Sequence, residues 1–371
     1  MPEYNYLIKE QREFFLEHGW LRIPNAIDKK ILDQWMSDFW VRLGWDEHDK
    51  STWKVDYLKM PKHHEIPPSD FSPDAWKAMC EIIGGEDKID KEREYLTGDN
   101  FIANFGSEYW KTHPHPAEEA KGWHTDNDYY RQFLDSSTNA LTIINCFTDV
   151  KPGQGGTFLA EDGIKGIVDF LYEHPEGLDP PFSYLYRHVK NCKKISTVEA
   201  KAGDVFITHA LLPHSPSKNH LHEVRVITNP HVNLKDPYDL NRPDGDYTLC
   251  EQVILRALGR DSVPEYKPTR PREVYFPRTF TFKRARVQEE LDRLVATAKA
   301  KGLPVHSVDS IYLRGEEFIK EHERMNGYDR PHGPGGLCLT PEDPVGLEFE
   351  KERMKVLGLP LNPPQSVIMS T

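Results

Sequence analysis

Cysteine is sparse in this chain: five residues, Cys80, Cys146, Cys192, Cys250 and Cys338, lie scattered with no Cys-x-x-Cys spacing. That pattern excludes a disulfide framework and a thiolate zinc ribbon, and fits buried free thiols. Basic residues are outnumbered, 47 Lys and Arg against 59 Asp and Glu, giving a net charge of −12. They form no basic cluster, so neither nucleic acid nor an anionic membrane is an expected partner. No apolar run is long enough for a membrane-spanning helix. The first residues, Met-Pro-Glu-Tyr-Asn-Tyr, lack the basic and apolar regions of a signal peptide, and the last, Val367-Ile-Met-Ser-Thr371, do not match the peroxisomal Ser-Lys-Leu address. A cytoplasmic location is expected. No internal repeat is present.

What is abundant points to a folded globular protein: aromatics make up 11% of the chain, with 8 Trp, beside 29% charged residues. A length of 371 residues admits two domains, yet β cores with helical additions commonly reach it as one unit. The expectation is a single domain over 1–371. It comprises a helical region with a lid loop (1–94), a β core (95–235) and a helical extension (236–371).

The first ninety residues read mainly as helix. Asp28 is placed to cap a helix carrying Ile31, Leu32, Trp35 and Phe39 on one face, with Ile27 stapling against Leu32. Between Ser51 and Asp74 the chain turns rich in Pro, His and Lys, as an irregular loop does, and such loops either roof a site or merely connect. The middle changes period. Segments 100–105, 140–150, 157–160, 194–199, 204–208 and 223–229 are short runs of Val, Ile, Phe and Thr between turn residues, which predicts a sandwich or jelly roll. A helix is expected over 163–172. Further helices are expected at Tyr247–Leu258 and Arg284–Lys301, the second with Val287, Leu291, Leu294 and Ala298 in one stripe. The stretch Tyr328–Leu337, with two Pro and three Gly, reads as a loop able to close over a substrate or lie on the surface.

The chemistry concentrates in a few side chains. In Trp123-His-Thr-Asp126, residues i and i+2 of an extended segment share a face, so His124 and Asp126 can converge on one ion. His-x-Asp alone is weak in a chain with 17 His. The third ligand lies downstream: both His209 and His214 follow the Gly203-Asp204 turn, and either can point inward. His214 stands 90 residues beyond His124 (214 less 124) and 11 before Arg225 (225 less 214), whereas His209 would stand 16 before it (225 less 209). Two imidazoles and a carboxylate with open positions are what a non-haem Fe(II) centre uses. Arg225 sits in the apolar run Val224-Arg-Val-Ile-Thr228, where a buried guanidinium requires a desolvated partner; its planar fork suits a carboxylate. His220, His222 and His231 read as surface or supporting histidines.

Trp123-His-Thr-Asp126, the Gly-Gly-Thr157 turn, Gly203-Asp-Val-Phe206, Leu212-Pro-His-Ser215, Asn219 and Arg225 together resemble the phytanoyl-CoA dioxygenase-like branch of the Fe(II)/2-oxoglutarate oxygenases over residues 95–235. A wider similarity, through Ile227-Thr-Asn-Pro230, Ile254–Gly259 and Lys267–Glu273, is to a largely uncharacterised microbial subgroup of that branch. The resemblance implies a double-stranded β-helix, jelly-roll or cupin-like. It implies Fe(II) held by His124, Asp126 and His214 as the catalytic metal site, with 2-oxoglutarate and O2 as co-substrates. The 11-residue spacing to Arg225 matches the family pattern, which favours His214 over His209.

The same resemblance places Arg225 on the distal carboxylate of 2-oxoglutarate, with Asn104 and Thr157 as further hydrogen-bonding partners; strand Asn and Thr equally often satisfy local backbone. The chain departs from the better-known members where Ser215 follows His214 directly and Pro216 comes next, and where their tryptophan after His-x-Asp is most nearly Ile144. Halogenating relatives replace the carboxylate that Asp126 keeps, so oxidation of a C–H bond is implied: hydroxylation, desaturation or ring closure. The substrate expected is a small metabolite, such as a free amino acid or a biosynthetic intermediate. Lys54, Lys59, Lys62 and Arg131 are candidate partners for a substrate carboxylate, or plain surface charges. Two other readings compete, a jelly-roll protein whose metal site supports no oxygen chemistry and a cupin-like metal lyase or isomerase.

Overall fold

The computed structural model describes residues 4–120, 122–127, 130–178, 189–274 and 279–326. The expected loop at 328–337, Cys338 and the chain's last residues lie outside the described residues. Twelve short strands are described: β1 (Trp20–Ile23), β2 (Tyr57–Lys59), β3 (Glu65–Ile66), β4 (Thr97–Gly98), β5 (Ile102–Asn104), β6 (Leu141–Cys146), β7 (Phe158–Ala160), β8 (Ile195–Thr197), β9 (Val205–His209), β10 (His214–Ser215), β11 (Arg225–Thr228) and β12 (His231–Val232). Each β run expected in the middle of the chain contains one of them.

All described pairings of these strands are antiparallel. The large sheet runs β1-β9-β6-β11-β5-β2, with β12 also on β6; a smaller one runs β10-β7-β8, and β3 pairs with β4 alone. An isolated bridge joins His124 to His214 and so adds the Trp123–Thr125 segment to the free side of β10. From β5 onward the chain therefore switches repeatedly between the two sheets. β6 is buried along its whole length, as a strand with both faces covered must be.

Helices pack around this frame as their sequences dictate. Asp28 caps the helix Lys29–Ser37, its Oδ1 accepting from the backbone N–H groups of Lys30 (2.8 Å) and Ile31 (3.2 Å). Trp35 from that helix stacks on Phe71 and Phe147 in the core, where Ile27 is buried and Leu32 packs at the edge. The helix expected at 163–172 is present as Ile164–Glu173, and packs against Leu249–Leu258. The latter starts on a capping box in which Thr248 and Glu251 bond each other's backbone, and stops at Gly259.

Two expectations change. The first ninety residues are not helix alone: Trp-Leu-Arg-Ile at β1 adds a strand beside β9. The segment 51–74 is not an irregular loop either, since β2 forms the far edge of the large sheet and Pro68–Phe71 is helical. Each is too short for a periodicity to register, and each is placed by tertiary pairing.

The helical extension is tied to the first hundred residues by a buried ionic clasp. The helix Thr279–Ala300 starts earlier than its stripe suggested, and presents Glu290, fully buried, to Arg42. The Arg42 guanidinium donates from Nε to Glu290 Oε2 (2.8 Å), from Nη1 to Asp99 Oδ2 (2.7 Å) and from Nη2 to the Pro61 carbonyl (2.6 Å). Asp99 also accepts from the backbone N–H groups of His63 (2.7 Å) and His64 (2.8 Å) and from the His64 ring (2.7 Å). Burial opposes charge on Asp99 and Glu290, but Arg42 with His64 and His63 at Asp99, and Arg42 with His63 at Glu290, outweigh it and hold both carboxyls below their ordinary range. Burial likewise opposes the His64 imidazolium, yet Asp99 raises its pKa, whereas burial prevails at His63 and lowers it.

The signs follow. The two depressed carboxyls contribute stability that is full above their unfolded pKa of about 4 and lost as pH falls through the folded values. The His64 contribution is full below about 6.5 and lost as pH rises through its raised folded pKa. Arg42→Met, which strands two buried carboxylates, is expected to cost about 3–5 kcal/mol in urea unfolding at neutral pH, and less near pH 3, where the carboxyls protonate. A cost that does not shrink in acid would show that the clasp is not ionic.

Candidate metal centre

Trp123 is the anchor of the His-x-Asp segment. It is buried among Ala120, Ala160 and Val189 and stacks on Phe158 of β7, which fixes the following residues against the small sheet. There His124 and His214 exchange both backbone bonds, each N–H donating to the other's carbonyl at 2.9 Å. Residues directly opposed in an antiparallel pair send their side chains to the same side. The imidazole centroids accordingly lie 4.4 Å apart, although 90 residues separate them in the chain (214 less 124). Thr125 turns the other way, and its hydroxyl donates to Gln132 Oε1 at 3.2 Å. Asp126 returns to the side of His124, and its backbone carbonyl accepts from Asn139 Nδ2 at 2.9 Å.

One ligand atom each from His124, Asp126 and His214 lie within 4.8 Å of one another. His124 Nε2 is 3.3 Å from Asp126 Oδ1, and His214 Nε2 is 3.4 Å from Oδ2. Charge-assisted hydrogen bonds are shorter, about 2.7–2.9 Å. Donors held about 2.1 Å from one ion at right angles stand about 3.0 Å apart, so the spacing is nearer to that of shared ligands. Asp126 Oδ2 is buried and accepts no hydrogen bond of good geometry.

The far ring nitrogens agree. His124 Nδ1 lies 2.6 Å from the Gly122 carbonyl and His214 Nδ1 3.1 Å from that of Leu212. A carbonyl only accepts, so Nδ1 carries the proton and each Nε2 lone pair faces the cluster, as in metal-binding histidines. The donor set thus fits a divalent ion that takes imidazole nitrogen and carboxylate oxygen. Access is from the His124 side, whose side chain is 38% exposed against 10% for Asp126 and for His214. Burial alone would depress the His124 imidazolium, but the Asp126 carboxylate overrides it and raises the pKa; Asp126 itself is held well below the carboxylate range by the surrounding imidazoles despite its burial.

His209 takes no part. Its Nδ1 accepts from the Leu211 backbone N–H (3.1 Å), its Nε2 faces the Cys250 carbonyl (3.3 Å), and burial lowers its pKa to about 4. Arg225 is 1% exposed on β11, and among the described residues its hydrogen-bond acceptors are carbonyls: Gly155 from Nε at 3.0 Å and Ile102 from Nη1 at 3.3 Å. No acidic side chain among the described residues forms an ion pair with it, and burial lowers its pKa. Asn104 stands opposite Arg225 across β5, and Tyr57 opposite Asn104 across β2, so the three share one face.

The Asn104 amide bonds local backbone, donating to the Ser217 carbonyl (3.1 Å) and accepting from the Gly106 N–H (3.2 Å). Thr157 is buried at the start of β7, its carbonyl accepting from Val198. Asn219 ties the loop after β10 to the Asn104 and Glu223 carbonyls. Ser215 is buried with its hydroxyl on the Pro216 carbonyl, and Ile144 is buried on the same face of β6 as Thr142 and Cys146.

Of the candidate substrate-binding cations, Lys62 bonds Asn326 and Leu96, and Arg131 bonds Glu273 and the Pro271 carbonyl. Lys54 is exposed. Lys59 lies exposed on β2, near enough to His124 for its charge to oppose that ring's protonation. Of the three histidines read as surface or supporting, His231 stands beside the cluster, its Nε2 3.3 Å from Asp126 Oδ2. Its parity with Arg225, six residues earlier in one extended run, is the signal that finds it.

No family model matches the chain, and no curated protein matches it either. Among solved structures, the non-heme alpha ketoglutarate dependent carbocyclase SnoK from nogalamycin biosynthesis is 13% identical, with a TM-score of 0.36, over 72% of this chain and 96% of that one. HygX from Streptomyces hygroscopicus, with nickel, 2-oxoglutarate and hygromycin B bound, is 11% identical, with a TM-score of 0.34, over 62% and 88%. A hypothetical protein from Escherichia coli is 12% identical, with a TM-score of 0.40, over 68% and 82%. Likenesses of this size carry no functional argument.

The carbonyl that holds Arg225 belongs to Gly155, whose φ of +77° is left-handed and whose Cβ would run into the Asn104 amide. Gly245 has a similar φ of +69° with open space around it. Gly155→Ala is therefore expected to lower the thermal midpoint by more than Gly245→Ala, which carries only the left-handed penalty of about 1–2 kcal/mol. Equal shifts in the two variants would contradict the crowding at Gly155.

Proposed function

We propose that this chain is an Fe(II)/2-oxoglutarate-dependent dioxygenase of the phytanoyl-CoA dioxygenase-like branch, acting on a C–H bond of a small metabolite. The observation that carries the reading is the opposed pair of imidazoles beside Asp126, each with Nδ1 against a backbone carbonyl. Arg225, a buried guanidinium without an acidic partner among the described residues, supports it, because such a group favours an anion. The alternation of strands between two antiparallel sheets from β5 to β11 supports a double-stranded β-helix, and the regions 1–94 and 236–371 are proposed to belong to the same domain.

His124, Asp126 and His214 would hold the iron by two nitrogens and one oxygen, leaving positions for ligands from outside the chain. When bound with 2-oxoglutarate and O2, the iron supplies oxidation of a C–H bond, with succinate and CO2 as the co-substrate's products. The chain's own residues do the rest. The Gly122 and Leu212 carbonyls hold the ring protons away from the centre. Arg225 takes the distal carboxylate of 2-oxoglutarate in its planar fork. Trp123, packed among Ala120, Ala160 and Val189 on the other face of its segment, holds the His124–Asp126 run in place. Asp126, present where halogenating relatives lack it, favours hydroxylation, desaturation or ring closure. A small polar metabolite, such as a free amino acid or biosynthetic intermediate, is the proposed substrate. Nucleic acid and membrane are not proposed partners, in keeping with the net charge of −12.

Anaerobic addition of Fe(II) and 2-oxoglutarate is expected to give a visible metal-to-ligand charge-transfer band, which His124→Ala abolishes. Wild-type protein without the band would sink the reading in favour of a metal site without oxygenase chemistry or a lyase. Arg225→Lys, which keeps the charge but loses the fork, is expected to weaken 2-oxoglutarate by about 2 kcal/mol or more, roughly 30-fold in Kd, with iron affinity unchanged. An unchanged Kd would overturn the assignment of Arg225 alone.

A further inference from the structure

Asp126 has two oxygens and a facial metal site needs one of them. Which oxygen is free for an ion depends on what occupies the other. Oδ1 faces His124 Nε2 at 3.3 Å, while Oδ2 faces two imidazoles, His214 Nε2 at 3.4 Å and His231 Nε2 at 3.3 Å. His231 is outside the group of mutually close donor atoms formed by His124, Asp126 and His214.

The placement of His231 is built, not incidental. Pro230 has no N–H and interrupts β11, yet the pairing on β6 resumes in the same register: Ile227 opposite Cys146, Thr228 opposite Asn145, His231 opposite Thr142. The Pro230 and Val232 carbonyls accept from Ile143 (2.9 Å) and Ala140 (2.7 Å), which locks β12 along the start of β6. A second tie comes from Asn139, held at a left-handed φ of 53°. Its backbone N–H donates to Asn233 Oδ1 (2.7 Å), two residues after His231, while its side chain donates to the Asp126 carbonyl (2.9 Å). One residue thus bolts the strand of His231 to the peptide of Asp126. The His231 side chain, 16% exposed, comes from the large sheet to a carboxylate that the small sheet positions.

We propose that His231 is a positioning residue of the metal centre: its Nε2 stands 3.3 Å from Asp126 Oδ2, short of hydrogen-bond geometry as the side chains lie, and donates to that oxygen once an ion draws Oδ1 to itself, so that the carboxylate meets the ion through Oδ1 alone and its second oxygen takes no coordination position. This rests on the metal reading above. A carboxylate released from that hold can swing to bind through both oxygens, taking a position an incoming ligand needs.

The test uses the full chain and Co(II), whose visible bands report coordination number, with affinity measured by calorimetry. Wild type is expected to bind Co(II). His231→Leu is expected to bind it 10–100-fold more weakly, the usual cost of losing an outer hydrogen bond, with altered visible bands. His231→Gln, whose side-chain amide donates at similar reach, is expected to restore the wild-type bands and to recover affinity to within about threefold. The Gln variant also keeps the test open where Leu does not fold. Three outcomes overturn the proposal: Leu binding as tightly as wild type with the same bands, Gln giving altered bands like Leu, or both variants losing Co(II) as completely as His124→Ala, which would make His231 itself a ligand. Wild-type protein that binds no Co(II) defeats the metal reading itself, and this is seen before any variant is made.

Discussion

The site depends on a pair of backbone hydrogen bonds between His124 and His214. Neither residue's side chain would face the other without that reciprocal bridge, because the intervening chain contributes β6, β7, the helix Ile164–Glu173, β8 and β9 before it returns. The bridge sets the register, and the register sets the faces. One step of slippage would turn His214 away and bring Ser215 or Pro213 to the cluster. Trp123 on one side and the pairing of β10 with β7 on the other resist such a slip. The pairing of two short segments thus controls chemistry that the large sheet frames.

Two fully buried arginines show how differently the fold uses one kind of charge. Arg42 is enclosed by two carboxylates and a carbonyl, so its burial is compensated within the chain. Among the described residues Arg225 meets carbonyl oxygens, and carbonyl dipoles offset a buried charge less than a carboxylate does. The first arrangement serves cohesion between distant segments. The second keeps a preference for an anion inside the protein, at the cost of some stability.

Much of this was readable from residue order. The β runs in the middle of the chain, the Asp28 cap and the helices at 164–173 and 249–258 all follow from local rules of period and capping. His124 and Asp126 were legible because i and i+2 share a face, and His214 was preferred to His209 by its distance from Arg225. The structure adds the physical reason, since His209 is bound to Leu211 and Cys250 on the other side of β9's turn. Other features were not legible. β1 and β2 are edge strands of three or four residues whose identity comes from partners far away in the chain. The Arg42 clasp joins residues from separate regions, none of them marked by a motif. His231 was legible only as a surface or supporting histidine; the register across Pro230 is what brings it to Asp126.

The clasp also bears on how the protein is made. Arg42 leaves the ribosome early, whereas Glu290 lies 248 residues later. At about 5–20 residues per second, roughly 12–50 seconds pass between the two. Asp99 follows Arg42 by 57 residues, so for the rest of that interval it is the only one of the two carboxylate partners already synthesised, and the side that the helix Thr279–Ala300 will cover is still open. The β frame can therefore assemble while its charged flank is still hydrated, and the arrival of Glu290 is the step that seals it.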